Sequence, residues 1–377
     1  MYRYPTLVHI SCLALSVFAT ASSLHAEHNV FYLTTGSTIT TYNVDATTGI
    51  PTQAGTPVTI AGAQFISNVI PTPNDHVIYV FWSNTSNSYS LWVYDTNGSG
   101  VPASTPVQKL SAQGWSMIIH PNGKFAYVMK TTSGSQGYSE TLYLYDINQQ
   151  TGALSNGTVQ AKYGPDYYYE ESLVSFNKSG TRLYDLWGVS FDHENNYYYS
   201  YHPVNTSTGQ LSADVGTYFA ASNYDGLDEQ YLTPSYILNL HGDGGYATTE
   251  LNVFQNIMNP QKPLFTCTQS MLDACAYSYR YWTSADQQYV FLPDSNTNET
   301  VIGKIEGSSK KIVETGFITG LPFLYVAPQN QLIYGVNSSG NSVQVYLFDA
   351  SNGTATSGGS VTFSSSNGYG LFPAHHP

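Results

Sequence analysis

The chain has 377 residues, only 10% of them charged, and a formal net charge of −13 from 12 Lys+Arg against 25 Asp+Glu. Nucleic-acid phosphates and anionic membrane surfaces are held by clustered basic side chains, so this balance excludes both as partners. Arg3, Arg182 and Arg280 are its only arginines, which disfavours a phosphorylated substrate, and 33 Tyr with 32 Gly suit strands and tight turns rather than helices.

The first residues read as an export signal. Met1 to Arg3 carries one positive charge, Leu7 to Phe18 is a short apolar run, and Ala19-Thr20-Ala21 and Leu24-His25-Ala26 are small-residue cleavage candidates. The run is shorter than the roughly 20 residues a spanning helix needs. Residues 1–26 are therefore expected to be a removed signal peptide, with the mature chain starting near Glu27 and placed in the periplasm, at the cell surface or outside the cell. No later segment is long and apolar enough to predict a membrane span.

From there a unit repeats. HNVFYL (His28 to Leu33) is a strand carrying a tyrosine. PNDHVIYVFW (Pro73 to Trp82), HPNGKFAYV (His120 to Val128), NKSGTRLYDLW (Asn177 to Trp187), GDGGYATTEL (Gly242 to Leu251), ADQQYVFL (Ala285 to Leu292) and PQNQLIYGV (Pro328 to Val336) place a polar turn before a similar strand. The landmark tyrosines Tyr32, Tyr79, Tyr127, Tyr184, Tyr246, Tyr289 and Tyr334 recur 43 to 62 residues apart. A second half-unit follows most of them: TTYNVDATTGIP (Thr40 to Pro51), LWVYDTNGSGVP (Leu91 to Pro102), LYLYDINQQTGAL (Leu142 to Leu154), YSYHPVNTSTGQL (Tyr199 to Leu211) and VYLFDASNGTA (Val345 to Ala355). Each is a strand, a polar turn with the Gly that a positive φ requires, and a strand restart. About four short strands in roughly 50 residues is the signature of a β-propeller blade.

The first unit lacks its first strand, and NGYGLFPAHHP (Asn367 to Pro377) offers one. Pairing the two would remove two exposed sheet edges. The predicted fold is all-β: residues 27–377 as a single seven-bladed β-propeller of four-stranded antiparallel blades, closed by the C-terminal strand on the N-terminal blade, and monomeric. The final pair, His375 and His376, reads as a mobile tail.

Two long connections stand out, Val159 to Glu171 with GPDYYYEE and Asp214 to Thr233 with NYDGLDEQY. Both join the outer strand of one blade to the inner strand of the next, at a channel mouth. Loops on a rigid scaffold commonly carry binding residues, which makes Asp166, Tyr168, Glu170, Glu171, Asp225, Asp228 and Glu229 ligand-binding candidates, against the plainer reading of solvated acidic loops. Their oxygens could hold Ca²⁺ and relieve like-charge repulsion, although the spacing matches no defined calcium loop. No other cofactor or metal is expected. Cys267 and Cys275, eight residues apart in TCTQSMLDAC, lack a redox or zinc spacing and read as a structural disulfide in an oxidising compartment.

HPNGKFAYV followed by LYLYDINQQTGAL resembles the seven-bladed lactonase family, which includes propeller-type 6-phosphogluconolactonases and carboxymuconate-lactonising enzymes and shares its blade with YVTN-type surface propellers. The resemblance runs over essentially the whole mature chain. It implies a channel site built from a Pro-Arg-His, an Asn-Glu-Leu and a His. Within Thr233 to Leu251, Glu250-Leu251 matches the Glu-Leu, Thr249 stands at the Asn position and Pro234 to Tyr236 supply no Arg; Ser172 falls near the His position. Glu250, with Arg280 of YSYRYW as an anion holder, is therefore the catalytic candidate. A solvent-facing strand-end charge and a salt-bridged structural Arg are the competing readings. The expected function is a non-catalytic propeller that binds a small molecule, polysaccharide or protein through its channel-mouth loops. The alternative is a lactone hydrolase with an altered site.

Overall fold

A computed structural model describes residues 28–72, 76–84, 89–111, 116–134, 137–163, 169–177, 179–191, 194–213, 215–221, 225–226, 230–232, 237–243, 250–254, 266–267, 282–284, 288–294, 297–306, 311–321, 323–326, 332–337, 339–364 and 369–376. Among them every regular element is a β-strand, and the strands gather into seven sheets. Sheet 1 takes β1 (His28–Thr35), β2 (Thr38–Val44) and β3 (Pro51–Thr59). Sheet 2 takes β4 (Phe65–Pro71), β5 (Val77–Ser83), β6 (Tyr89–Asp95) and β7 (Gln108–Leu110). Sheet 3 takes β8 (Ser116–Ile119), β9 (Phe125–Gly134), β10 (Gly137–Ile147) and β11 (Leu154–Tyr163). Sheet 4 takes β12 (Tyr169–Phe176), β13 (Arg182–Phe191), β14 (Glu194–Pro203) and β15 (Val215–Ala221). Sheet 5 takes β16 (Asp225–Gly226), β17 (Gln230–Leu232), β18 (Ile237–Asp243) and β19 (Glu250–Phe254). Sheet 6 takes β20 (Thr266–Cys267), β21 (Trp282–Thr283), β22 (Tyr289–Asp294), β23 (Glu299–Glu306) and β24 (Lys311–Thr319). Sheet 7 takes β25 (Phe323–Val326), β26 (Leu332–Val336), β27 (Ser342–Asp349) and β28 (Thr354–Thr362). The last strand, β29 (Tyr369–His376), returns to sheet 1 as the antiparallel partner of β1, in register from His28↔His376 to Thr35↔Tyr369.

Sheets 2, 3, 4 and 7 are antiparallel meanders in chain order. Sheets 5 and 6 depart from the four-strand unit. β16 and β17 both pair with β18, and β20 adds a fifth strand to sheet 6, running parallel to β24. The first strands of neighbouring sheets lie side by side: β8 by β12, β12 by β17, β21 by β25, β25 by β29, and β29 by β4.

The second strands of sheets 1, 2, 6 and 7 carry runs of four or more hydrophobics, interrupted only by Gly335, because they are buried on both faces. Val77 to Trp82 are all buried, as are Leu332 to Val336. In β1, Val30 and Tyr32 pack against Ile78 and Val80 of sheet 2, while Phe31 and Leu33 pack against Leu332 and Tyr334 of sheet 7. Other clusters join sheets 2 and 3, 3 and 4, and 6 and 7 in the same way. Each fully buried Val, Ile or Phe contributes about 1.5–3 kcal/mol, so the hydrophobic term resides between sheets.

Four of the landmark tyrosines bolt these layers together. The Tyr32 hydroxyl donates to the Gly100 carbonyl at 3.0 Å, Tyr79 to Gly152 at 2.8 Å, Tyr127 to Gly209, and Tyr289 to Ala350 at 3.0 Å. Every acceptor lies in the turn between the third and fourth strands of the next sheet. These turns are closed by an Asp or Asn side chain, as where Asp45 accepts from the Thr48 backbone N–H at 2.7 Å and Asn148 from Gln150 at 2.9 Å. Those hydrogen bonds hold the Asp45 and Asp349 carboxyls below the ordinary value. Gly152 has φ +68°, and a Cβ there would meet Val77 at 2.5 Å, so Gly is demanded by both the turn and the fit against the preceding sheet. His120 of HPNGK is a second bolt: it is buried, and its Nε2 lies 2.9 Å from the Gly180 carbonyl of sheet 4. The segment from His120 to Val128 therefore serves the frame at both ends. At the seam between sheets 7 and 1 the pattern changes. The Tyr334 hydroxyl is buried without a hydrogen-bond partner, and the Gly359 N–H takes the Gly49 carbonyl instead, at 3.0 Å.

Candidate functional site

The structure redistributes the residues expected in channel-mouth loops. The connection read as Val159 to Glu171 is mostly strand: β11 continues to Tyr163 and β12 begins at Tyr169. Glu170 and Glu171 are thus residues of the first strand of sheet 4, in register with Gly188 and Trp187. The cause is the length of β13, whose ten residues go on pairing with β12 as far as Val189 and draw the Tyr-rich segment into extended backbone. The second connection, Asp214 to Thr233, is likewise broken by β15, β16 and β17, and Asp225 sits in β16 opposite Asp243. Asp166, Tyr168, Asp228, Glu229, Arg280 and Cys275 lie outside the described residues. Cys267 is in β20, and among the described residues there is no disulfide. His375 and His376 are strand residues of β29 rather than a tail, because β1 supplies an open edge that their backbone pairs with.

Because β12 lies beside β17, Glu170 and Glu171 stand in the sheet next to the one that holds Asp225 in β16 and Glu250 in β19. Sheet 5 also gives Glu250 a neighbour that the sequence pattern left out. Glu250 opens β19 directly opposite His241 in β18, with Asn239↔Asn252 the next pair on the same face, Gln230↔Asn239 beyond it, and Asp225↔Asp243 at the other end. Alternation places Gln230, Asn239, His241, Asp243, Glu250 and Asn252 on one face of the sheet, and Tyr231, Leu238, Leu240, Leu251 and Val253 on the other.

Four of the described cations, Lys109, Lys130, Arg182 and Lys304, lie over aromatic rings. The Lys109 Nζ is 4.3 Å from the Trp92 ring centroid, and the Arg182 guanidinium is 4.7 Å from that of Tyr201. Among the described residues no three His, Cys, Asp or Glu side chains form a metal-binding group, and no helix is long and apolar enough to cross a membrane.

No protein-family profile and no curated protein matches the chain. Solved structures do. A provisionally assigned 6-phosphogluconolactonase from Bacteroides uniformis aligns over 91% of this chain and 99% of its own, with 11% identity and a TM-score of 0.64. A similarly assigned protein from Bacteroides fragilis aligns over 93% and 99%, with 14% identity and a TM-score of 0.61. The periplasmic gluconolactonase of Pseudomonas aeruginosa aligns over 92% and 99%, with 12% identity and a TM-score of 0.51. At these identities the likeness is one of fold: the chain has the lactonase-like β-propeller architecture.

Proposed function

We propose that the chain is a closed seven-bladed propeller, exported after loss of residues 1–26, that binds a polar ligand at the axis-proximal ends of sheets 4 and 5 without transforming it. The observation that carries this is the placement of Glu170 and Glu171 on β12 and Asp225 on β16, in neighbouring sheets whose first strands β12 and β17 lie side by side. Among the described residues, the contacts between sheets 1 and 2, 2 and 3, 3 and 4, and 6 and 7 are apolar and locked by tyrosine-to-turn hydrogen bonds, which suits a scaffold that presents one polar sector. A net charge of −13 favours a neutral or cationic ligand: a hydroxyl-rich small molecule, a polysaccharide segment, a basic protein surface, or Ca²⁺ among the carboxylates. The test is a thermal-shift panel of neutral oligosaccharides and Ca²⁺ on the wild type and on a Glu170→Gln/Glu171→Gln/Asp225→Asn variant. A shift in the wild type that the variant loses supports the reading. Equal shifts in both refute it.

One observation favours a second reading. Glu250 stands across from His241, and directly opposed residues of an antiparallel pair hold their Cβ atoms about 4.5–5.5 Å apart. A carboxylate beside an imidazole is the minimum general acid/base pair that a lactone hydrolase would use. Loss of lactone turnover in Glu250→Gln and His241→Gln would establish that reading.

A further inference from the structure

Asn-Gly occurs five times in the chain, at Asn97, Asn122, Asn156, Asn352 and Asn367, the last outside the described residues. A glycine after asparagine leaves its backbone nitrogen open to the side-chain amide, so each pair is chemically labile unless the fold restrains it. The four described pairs are restrained differently. The Gly123 N–H is held by the His120 carbonyl at 2.8 Å, and the Asn122 Nδ2 donates to the Thr206 carbonyl at 3.2 Å. The Gly353 N–H is held by the Asp349 carbonyl at 2.8 Å, and the Asn352 Nδ2 donates to the Asp349 carboxylate at 2.8 Å. The Asn156 Nδ2 donates to the Asp146 carboxylate at 2.8 Å, where a second carboxylate would meet like charge, and the Tyr145 ring lies against Gly157. At Asn97 both reacting nitrogens are free. The Gly98 N–H and the Asn97 Nδ2 have no hydrogen-bond partner among the described residues, and both residues are exposed. We propose that Asn97 is a site of spontaneous covalent modification, at which the Gly98 nitrogen displaces the side-chain amide and the turn between β6 and β7 is rebuilt as isoaspartate.

The turn also activates the carbon under attack. The Asn97 Oδ1 accepts the Ser99 and Val101 backbone N–H groups, each at 3.0 Å. Two donors on that oxygen polarise the Cγ carbonyl and stabilise the oxyanion that forms when a nitrogen adds to it. Water takes the proton from the Gly98 nitrogen, the nitrogen bonds to Asn97 Cγ, and the Cγ–Nδ2 bond breaks with loss of ammonia. A second water opens the five-membered imide. Attack at Cγ gives aspartate. Attack at the Asn97 backbone carbonyl carbon breaks its bond to the Gly98 nitrogen and gives isoaspartate, with the main chain now running through Cγ. The net exchange is water in and ammonia out, with nothing oxidised or reduced. The place gives the step its consequence. Gly100, in the same turn, accepts the Tyr32 hydroxyl at 3.0 Å, and Val101 lies against sheet 1, where a Cβ on Gly55 would meet it at 2.9 Å. An extra main-chain atom, with loss of the side-chain oxygen that holds the Ser99 and Val101 N–H groups, takes the Gly100 carbonyl away from Tyr32. Ageing therefore unlocks the joint between sheets 1 and 2, while the tyrosine bolts at Gly152, Gly209 and Ala350 stay closed.

The test incubates the full chain in warm, mildly alkaline buffer and follows each Asn-Gly peptide by mass spectrometry, with a parallel sample unfolded in urea. In the native protein the Asn97 peptide is expected to convert about 10-fold faster than those of Asn122, Asn156 and Asn352, and in urea, where only the sequence acts, that gap closes. Gly98→Ala, at a position without a positive φ, hinders the attack with a Cβ and slows conversion at Asn97. The aged wild type is expected to melt about 2–5 °C below the fresh protein, aged Gly98→Ala to be unchanged, and Tyr32→Phe, which has no hydroxyl to release, to show a smaller fall. No conversion at native Asn97, or conversion at any of the other three as fast, overturns the proposal. Conversion at Asn97 with an unchanged wild-type melting temperature overturns the unlocking of the joint.

Discussion

Removing the hydroxyl from each landmark tyrosine in turn separates the bolts of the frame from its seam. In Tyr79→Phe the ring stays in place between sheets 2 and 3, and the Gly152 carbonyl loses a 2.8 Å hydrogen bond inside the protein. A buried acceptor left unsatisfied costs about 1–3 kcal/mol, so Tyr79→Phe is expected to lose about that much. Tyr32→Phe and Tyr289→Phe, each breaking a 3.0 Å bond, belong to the same range. Tyr334→Phe is predicted to behave in the opposite way. Its hydroxyl is buried without a partner, so the substitution removes a desolvated polar group and breaks nothing. The expected effect is neutral to a gain of about 1 kcal/mol. Urea denaturation, monitored by tyrosine and tryptophan fluorescence, gives the midpoints, and an unchanged m-value confirms that the native and unfolded states are comparable. If Tyr334→Phe lost as much as Tyr79→Phe, the Tyr334 hydroxyl would have a partner and the seam between sheets 7 and 1 would be built like the others.

Two further predictions come from the same frame. Gly152→Ala forces a Cβ to within 2.5 Å of Val77 at φ +68°, and is expected to cost about 2–4 kcal/mol from left-handed strain plus overpacking; Gly320→Ala, with φ +80° but nothing within 4 Å, should cost only the strain part, about 1–2 kcal/mol. Urea midpoints for the pair check the difference, and equal losses would refute the close approach of the turn to the preceding sheet. Burial raises the phenol pKa of Tyr79, Tyr127 and Tyr334 above the ordinary 10.0, and that of Tyr94 to about 12. The native state therefore keeps protons that the unfolded chain releases. Their contribution is intact below pH 10 and is lost as the pH rises above it, so melting temperatures should fall steeply above pH 10; a flat profile from pH 9 to 12 would contradict the burial.

Periodicity made the fold legible. The strand-and-tyrosine unit placed Tyr32, Tyr79, Tyr127, Tyr184, Tyr289 and Tyr334 in second strands, where the structure has them, while Tyr246 lies outside the described residues. What the tyrosines do was less visible, since a hydrogen bond from Tyr79 to Gly152 spans 73 residues and depends on which turns face which strands. The extent of the loops is hidden in the sequence for the same kind of reason. Acidic and tyrosine-rich composition around Glu170 and Asp225 looks like solvated connection, but strand length is set by the partner, and β13 and β18 carry the pairing further. His241 has no signature along the chain, whereas antiparallel register sets it opposite Glu250 across the sheet.

The central functional claim is a ligand-binding propeller that does no chemistry. The most direct measurement is hydrolysis of a broad lactone panel by the purified protein beside Glu250→Gln and His241→Gln. The account predicts no turnover above background in any of the three. Turnover in the wild type that disappears in both variants would contradict it and make the His241–Glu250 pair a working acid/base site.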